Sequence, residues 1–212
     1  KIQRPPEPPV PQIAALPPVQ VAGEGGSALA EALDVEWISP RTTPRRDALL
    51  LVAPMGEDAT TTALRHGLDA MRTVAVDMLY GIAGRRTAMT TPVTDPAMRD
   101  AAHAFLARDA NPVTMIHDSP GFIAQRVVAT IVNIACEIAQ QRIATPGDID
   151  LAVTLGLGYP SGPLALGDRL GPGRLLAILE GIQAATGDPR YRPSLWLSRR
   201  ARLGVSLLTP EG

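Results

Sequence analysis

Every stretch of this chain that reads as a strand lies before Pro120, and every stretch after it carries helical spacing. The division predicts an α+β protein, mainly α, in which a small α/β layer precedes an all-helical part. Before Pro120, Ala48–Ala53 is a continuous apolar run closed by Pro54, as a buried strand would be. Thr73–Leu79 and Pro112–Ile116 are two further strand candidates. Between them, Glu57–Leu68 has helix-compatible composition. Thr94 or Asp95 caps a helix that opens on Pro96 and runs to about Arg108. Strand, helix, strand, helix, strand is the grammar of helices on a parallel sheet, here half the size of a full doubly wound domain. Residues 28–117 are therefore expected to form a partial α/β layer.

After Pro120 the pattern changes to helices, grouped here as a domain over 118–212. Gly121–Arg142 is long and apolar, with Arg126, Asn133, Glu137 and Gln140 confined to a narrow arc at about 100° per residue. A helix with so much apolar circumference belongs in a core or a dimer interface. Its charges argue against a membrane span. Arg126, Asn133 and Glu137 are expected to form a buried polar seam, in which a charge must be paired. Thr145-Pro146-Gly147-Asp148 is a strong start signal, with a cap, a proline at the first helical position and an acid three residues after the cap. Gly162-Pro163, Pro172 and Pro193-Ser194 open three more helices.

The other end is proline-rich: Arg4-Pro5-Pro6-Glu7-Pro8-Pro9-Val10-Pro11, then Pro17-Pro18. Proline locks φ and removes donors, so the segment is extended and cannot be a helix or a central strand. Gly23-Glu24-Gly25-Gly26-Ser27 continues the flexible stretch, which predicts a linker over 1–27 and ordered structure from about Ala28. No apolar signal region precedes it, so Lys1 is expected to mark a domain boundary.

Composition removes several function classes. The 212 residues carry a net charge of -1, and the arginines are scattered, so nucleic acid is not an expected partner. Lys1 is the sole lysine, which excludes a Schiff-base or P-loop lysine. The single Cys136 rules out an intrachain disulfide and points to a reducing, cytoplasmic setting. His66 and His103 are expected on helix surfaces, with no partner at a metal-ligand spacing, so no metal is expected. His117-Asp118-Ser119 holds the residue types of a hydrolase triad. Adjacent side chains diverge, however, and the plainer reading is a strand end where Asp118 or Ser119 caps the long helix. Gly156-Leu157-Gly158-Tyr159-Pro160-Ser161-Gly162 follows a helix instead of a strand, and its third glycine is one place late for a dinucleotide fingerprint. After Ala53 there is one glycine, Gly56, and then Glu57 and Asp58, which would repel phosphate. The chain is expected to bind no cofactor of its own.

Two stretches carry a resemblance. Asp118-Ser119-Pro120-Gly121-Phe122-Ile123-Ala124-Gln125-Arg126 and, after Asp148-Ile149-Asp150, Gly156-Leu157-Gly158-Tyr159-Pro160-Ser161-Gly162-Pro163 ahead of Gly167-Asp168 resemble the C-terminal domain of 3-hydroxyacyl-CoA dehydrogenases. That family opens the domain with D-[ST]-P-G-F-[IV]-x-N-R and later carries G-x-G-[YF]-P-x-G-P. The likeness covers about Asp118–Leu207, and the whole looks like the C-terminal half of the long bacterial 3-hydroxyacyl- or 3-hydroxybutyryl-CoA dehydrogenases. It also makes Asp47–His117, within the α/β layer over 28–117, look like a shortened, degenerate Rossmann-like segment. It implies a homodimer, an acyl-CoA substrate, and NAD bound by a domain outside these residues. It also implies acyl-CoA contacts from Phe122, Gln125, Tyr159 and Pro160, and structural roles for Asp118, Pro120, Gly121, Arg126, Gly158, Gly162, Pro163 and Asp168. Two departures stand out. Where the family has its catalytic histidine, this chain reads Val76-Asp77-Met78-Leu79-Tyr80, and the family's helix asparagine is Gln125. No general base is in place, so the chain alone is expected to be inactive. The alternatives are a non-catalytic dimerisation or regulatory module with a vestigial acyl-CoA groove, and a hydrolase using Ser119.

Overall fold

The computed structural model describes residues 6–39 and 42–211. Lys1–Pro5, where the expected linker begins, lie outside them. The chain divides into two units, one holding the residues up to Pro54 with Asp58–Ser119, the other Met55–Glu57 with the residues from Pro120 onward.

The first unit is a mixed six-stranded sheet in the order β2-β1-β3-β4-β5-β6. Its strands are β1 (Val19–Val21), β2 (Glu36–Trp37), β3 (Leu49–Val52), β4 (Thr73–Val76), β5 (Arg86–Thr90) and β6 (Val113–Ile116). Every residue of β3 and β4 is buried, which is why Leu49-Leu50-Leu51-Val52 shows no alternation. Helices α1 (Gly26–Leu33) and α3 (Pro96–Leu106) bury Leu29, Leu33, Phe105 and Leu106 against Leu51, Val74 and Val76. Helix α2 (Ala59–Arg65) starts at Asp58, whose carboxylate accepts the Thr61 N–H at 2.6 Å.

Four expectations are corrected here. The linker predicted over 1–27 gives way at Val19, because Val19–Val21 pairs with both β2 and β3, and Gly23–Gly26 is the turn from β1 into α1. The strand was hidden by Gln20, a buried polar residue whose amide donates to Glu36 at 2.7 Å and accepts the Arg45 N–H at 2.9 Å. The sheet is not all parallel: β5 runs antiparallel to β4 because Asp77–Arg85 is too short for a crossover. β5 itself escapes a pattern reading because it begins with the buried Arg86, satisfied by Asp109 and by the Ile82 and Leu106 carbonyls. Asp118 caps α2 instead of the long helix, accepting the Ala59 N–H at 2.8 Å and the Thr60 N–H at 3.2 Å. His103 lies within the unit, 8% exposed, instead of on the helix surface.

Among the described residues the second unit is built of helices: α4 (Ala124–Gln140), α5 (Pro146–Leu157), α6 (Pro163–Leu170), α7 (Pro172–Thr186), a 3₁₀ turn (Pro189–Tyr191) and α8 (Leu195–Leu203). α4 is central and packs against the other four. It does so through small residues, Ala129, Val132, Ala135, Cys136 and Ala139, which let the helix axes approach closely. Burial pushes the Cys136 thiol up to about 12, so it behaves as core sulfur.

The polar seam expected on α4 is not a paired network. Asn133 is buried and clamps the backbone ahead of α8, its Oδ1 accepting the Ser194 N–H at 2.8 Å and its Nδ2 donating to the Arg192 carbonyl at 2.9 Å. Arg126 turns back and donates to the Pro120 carbonyl at 2.7 Å. Glu137 is half-buried and makes no ion pair among the described residues. Helical spacing aligns the three on one face, but backbone groups from elsewhere in the unit reach Arg126 and Asn133. The Gly162-Pro163 start is equally specific. Asp150 on α5 accepts the Leu164 and Ala165 N–H groups at 2.8 and 2.9 Å, capping α6 from a distance. A Cβ on Gly162 would fall 2.2 Å from the Asp150 Cγ.

Two stability outcomes are expected, both read by urea denaturation. Gly162→Ala displaces the Asp150 carboxylate and lowers unfolding stability by about 1–3 kcal/mol, as overpacking does. Asn133→Ala strands the buried Ser194 N–H and releases the Arg192 carbonyl, and costs about 1–3 kcal/mol, whereas Glu137→Ala stays within about 0.5 kcal/mol of the parent.

Candidate functional site

The residues that begin the helical unit are placed by a tight turn. Gly121 and Phe122 both have left-handed backbone, φ 75° and 45°, and this drops the Phe122 ring into the core at 1% exposure. One turn later Gln125 is fully buried, and its Oε1 accepts the Gly56 N–H at 2.8 Å. The Met55–Glu57 segment lies directly on α7: a Cβ on Gly56 would stand 2.5 Å from the Ile178 carbonyl oxygen, and one on Gly181 would stand 2.9 Å from the Gly56 carbonyl carbon. The Gly121 N–H completes the contact by donating to the Glu57 carbonyl at 3.4 Å. Gln125 thus has a defined task, holding an irregular loop against the helices, and a side chain longer than asparagine is what reaches Gly56.

Tyr159 is half-buried and Pro160 exposed, in the loop after α5. No hydrogen bond or ring contact joins this pair to Phe122 or Gln125 among the described residues. The remaining motif residues hold backbone. Pro120 offers its carbonyl to Arg126, Gly158 ends α5, Pro163 is the first residue of α6, and Asp168 accepts the Leu207 N–H at 2.7 Å. The motif binds the unit together at the starts and ends of its helices.

The residues of the first unit do not fit NAD. Gly23-Glu24-Gly25-Gly26 does connect a strand to a helix, as a dinucleotide turn does. Sequence reading missed it because β1 is only Val19–Val21. Here, however, the His66 imidazole sits 3.1 Å from the position of a Gly23 Cβ, the Trp37 Nε1–H donates to the Gly23 carbonyl at 3.4 Å, and Glu24 places a carboxylate in the turn, 3.2 Å from Arg65. A pyrophosphate would meet an imidazole and a negative charge. The acid of β2, Glu36, is held by Gln20. In the stretch Val76–Tyr80, which holds no histidine, Asp77 accepts the Leu79 N–H at 2.9 Å and shapes a turn. The His117-Asp118-Ser119 stretch does not form a triad either: both Asp118 oxygens cap α2, and the Ser119 N–H points at the Met89 sulfur at 3.0 Å. No cluster of metal-ligating side chains occurs among the described residues, and none of their helices is long and apolar enough to cross a membrane.

Comparison with known proteins bears on this architecture directly. Residues 121–206 match the family description "3-hydroxyacyl-CoA dehydrogenase, C-terminal domain". Over 158 residues the chain is 39% identical to the 3-hydroxyadipyl-CoA dehydrogenase of Escherichia coli K12, covering 74% of this chain and 32% of that protein. Over 89 residues it is 36% identical to a probable 3-hydroxybutyryl-CoA dehydrogenase of Deinococcus radiodurans, covering 42% of this chain and 32% of the relative. The chain spans about a third of the length of each. Among solved structures, the 3-hydroxybutyryl-CoA dehydrogenase of Escherichia coli K12 aligns with a TM-score of 0.64 at 36% identity, over 72% of this chain and 31% of that one. The (S)-3-hydroxybutyryl-CoA dehydrogenase of Ralstonia eutropha aligns with a TM-score of 0.73 at 16% identity, over 93% and 100%, a likeness of fold. The helix-capping framework that the structure shows from Gly121 to Ser206 coincides with the family match, and together with the relatives the match shows that the chain belongs to the 3-hydroxyacyl-CoA dehydrogenase family.

Proposed function

We propose that this chain is the C-terminal part of an NAD-dependent enzyme that oxidises 3-hydroxyacyl-CoA to 3-oxoacyl-CoA in the cytoplasm. In this reading it supplies a dimer interface and walls of the acyl-CoA site, while NAD binds to residues outside it. The observation that carries the reading is the outer face of a helical unit already assigned to the family. α4 presents Ile123, Val127 and Ile134 at 58, 51 and 56% exposure, with Ile131 and Ile138 half-buried between them. α5 is apolar yet buries only Ile149, leaving Leu151, Leu155 and Leu157 outside. A row of β-branched and leucine side chains on adjoining helices is a surface that pairing would cover. Tyr159 and Pro160 provide reachable wall for an acyl chain, while Phe122 and Gln125, being buried, fix the turn that starts α4.

A second reading, a dimerisation or regulatory module with a vestigial acyl-CoA groove, draws support from Asp77 at the place of the general base. Acyl-CoA binding separates the two. Titration of the chain with acetoacetyl-CoA is expected to give saturable heat, lost in Tyr159→Ala, and no heat is the outcome that favours the vestigial module. Titration with NADH is expected to give none; a micromolar Kd would contradict the blocked Gly23 turn. For the interface, sedimentation at tens of micromolar should show a dimer for the parent chain and a monomer for Ile134→Asp.

A further inference from the structure

The last strand of the sheet has an open side. β6 pairs with β5 along one edge, and among the described residues no strand pairs with the other. An open edge is a row of amides and carbonyls ready to pair with an extended chain, and proteins usually cover it. Beside β6 lies a cavity of about 1180 Å³, lined by α3, β6, Arg85, the end of β5 with the loop that follows it, and Pro6–Pro9.

The proline segment is seated there by its one carboxylate. Arg85 grips Glu7 with both terminal nitrogens, Nη1 at 3.1 Å, and the same Nη1 donates to Thr114 Oγ1 on β6 at 2.9 Å. A guanidinium backed by a strand hydroxyl is a carboxylate seat. Both partners of the pair are about half exposed, so the seat holds its occupant weakly. Pro6, Pro8 and Pro9 have no N–H to offer, and no backbone hydrogen bond joins this segment to β6 among the described residues. The segment fills the seat and leaves the strand edge unclaimed. A further polar group waits in the wall: the His103 imidazole on α3, more than nine-tenths buried, lines the cavity and makes no side-chain hydrogen bond among the described residues. Burial lowers its pKa, against the pull of Asp100, so at neutral pH it offers one donor and one acceptor.

We infer that this groove is a binding site for an extended peptide segment carrying a carboxylate, and that Pro6–Pro9 is its built-in, displaceable occupant. A segment with free amides would use the Arg85 and Thr114 seat and gain the edge hydrogen bonds that proline cannot make. The inference lies wholly within the sheet unit and does not rest on the acyl-CoA reading, so the two stand or fall separately.

The test is fluorescence anisotropy with a labelled octapeptide of valine and threonine around a single glutamate, added to the full chain. Glu7→Gln, which vacates the seat, is expected to bind it at least tenfold more tightly than the parent. Arg85→Gln should lose at least tenfold relative to Glu7→Gln, as should the same peptide with glutamine in place of glutamate. Both substitutions are at exposed positions, and unchanged circular dichroism would verify the fold. Absence of saturable binding to Glu7→Gln, equal affinity of Glu7→Gln and the parent, or binding indifferent to Arg85→Gln would each overturn the proposal.

Discussion

Helix starts leave backbone N–H groups without partners, and this protein satisfies many of them with side chains distant in sequence. Asp118, at the end of the sheet unit, caps α2; Asp150 on α5 caps α6; Asn133 on α4 holds the entry to α8; and Gln125 takes the N–H of Gly56. Each bond fixes the position of one element relative to another at the point where chain direction changes. An aliphatic core of this kind, with 3% aromatic residues, has little else that is directional. The bonds account for the irregular places in the helical unit: the left-handed turn at Gly121-Phe122, the close approach at Gly162, and the Met55–Glu57 loop lying on α7.

The same logic runs through both units. The stretch from Gly121 to Ser206 that matches the family is rich in contacts that hold backbone. In the sheet unit, side chains near the strand ends likewise have local tasks. His66 fills the space above Gly23, and Asp77 closes a turn with Leu79. A carboxylate already spent on a neighbouring amide is a poor base, and a glycine turn packed by an imidazole is a poor phosphate seat. What the helical unit leaves outside is an apolar surface, with Val127 and Ile134 on α4 and Leu151, Leu155 and Leu157 on α5 exposed.

Legibility in the sequence followed the strength of each local signal. The four later helices were readable because Thr145-Pro146, Gly162-Pro163, Gly171-Pro172 and Ser194 combine a cap position with the start of an apolar period. β3 was readable as an unbroken apolar run. β1 and β2 were not, since they are short, and neither was β5; they contain Gln20, Glu36 and Arg86, polar residues that belong in a sheet only because partners elsewhere satisfy them. The motif residues could be located by resemblance, yet their physical tasks could not. Spacing on α4 suggested that Arg126, Asn133 and Glu137 would form one buried polar seam, and the fold instead gives Arg126 and Asn133 backbone partners and leaves Glu137 half-buried.

The sequence by itself determined the change from α/β to helical at Pro120, the starts of the helices, the absence of lysine chemistry and the family of the C-terminal unit, because these rest on local periodicity, capping chemistry and composition. Tertiary structure alone decided that Asp118 caps α2 and not α4, that β5 reverses, that Gly23–Gly26 is a turn packed by His66, and that a proline segment lies along the β6 edge. Those outcomes depend on which groups distant in the chain arrive within hydrogen-bonding or packing distance, and pairings of that kind leave no periodic trace in a single sequence.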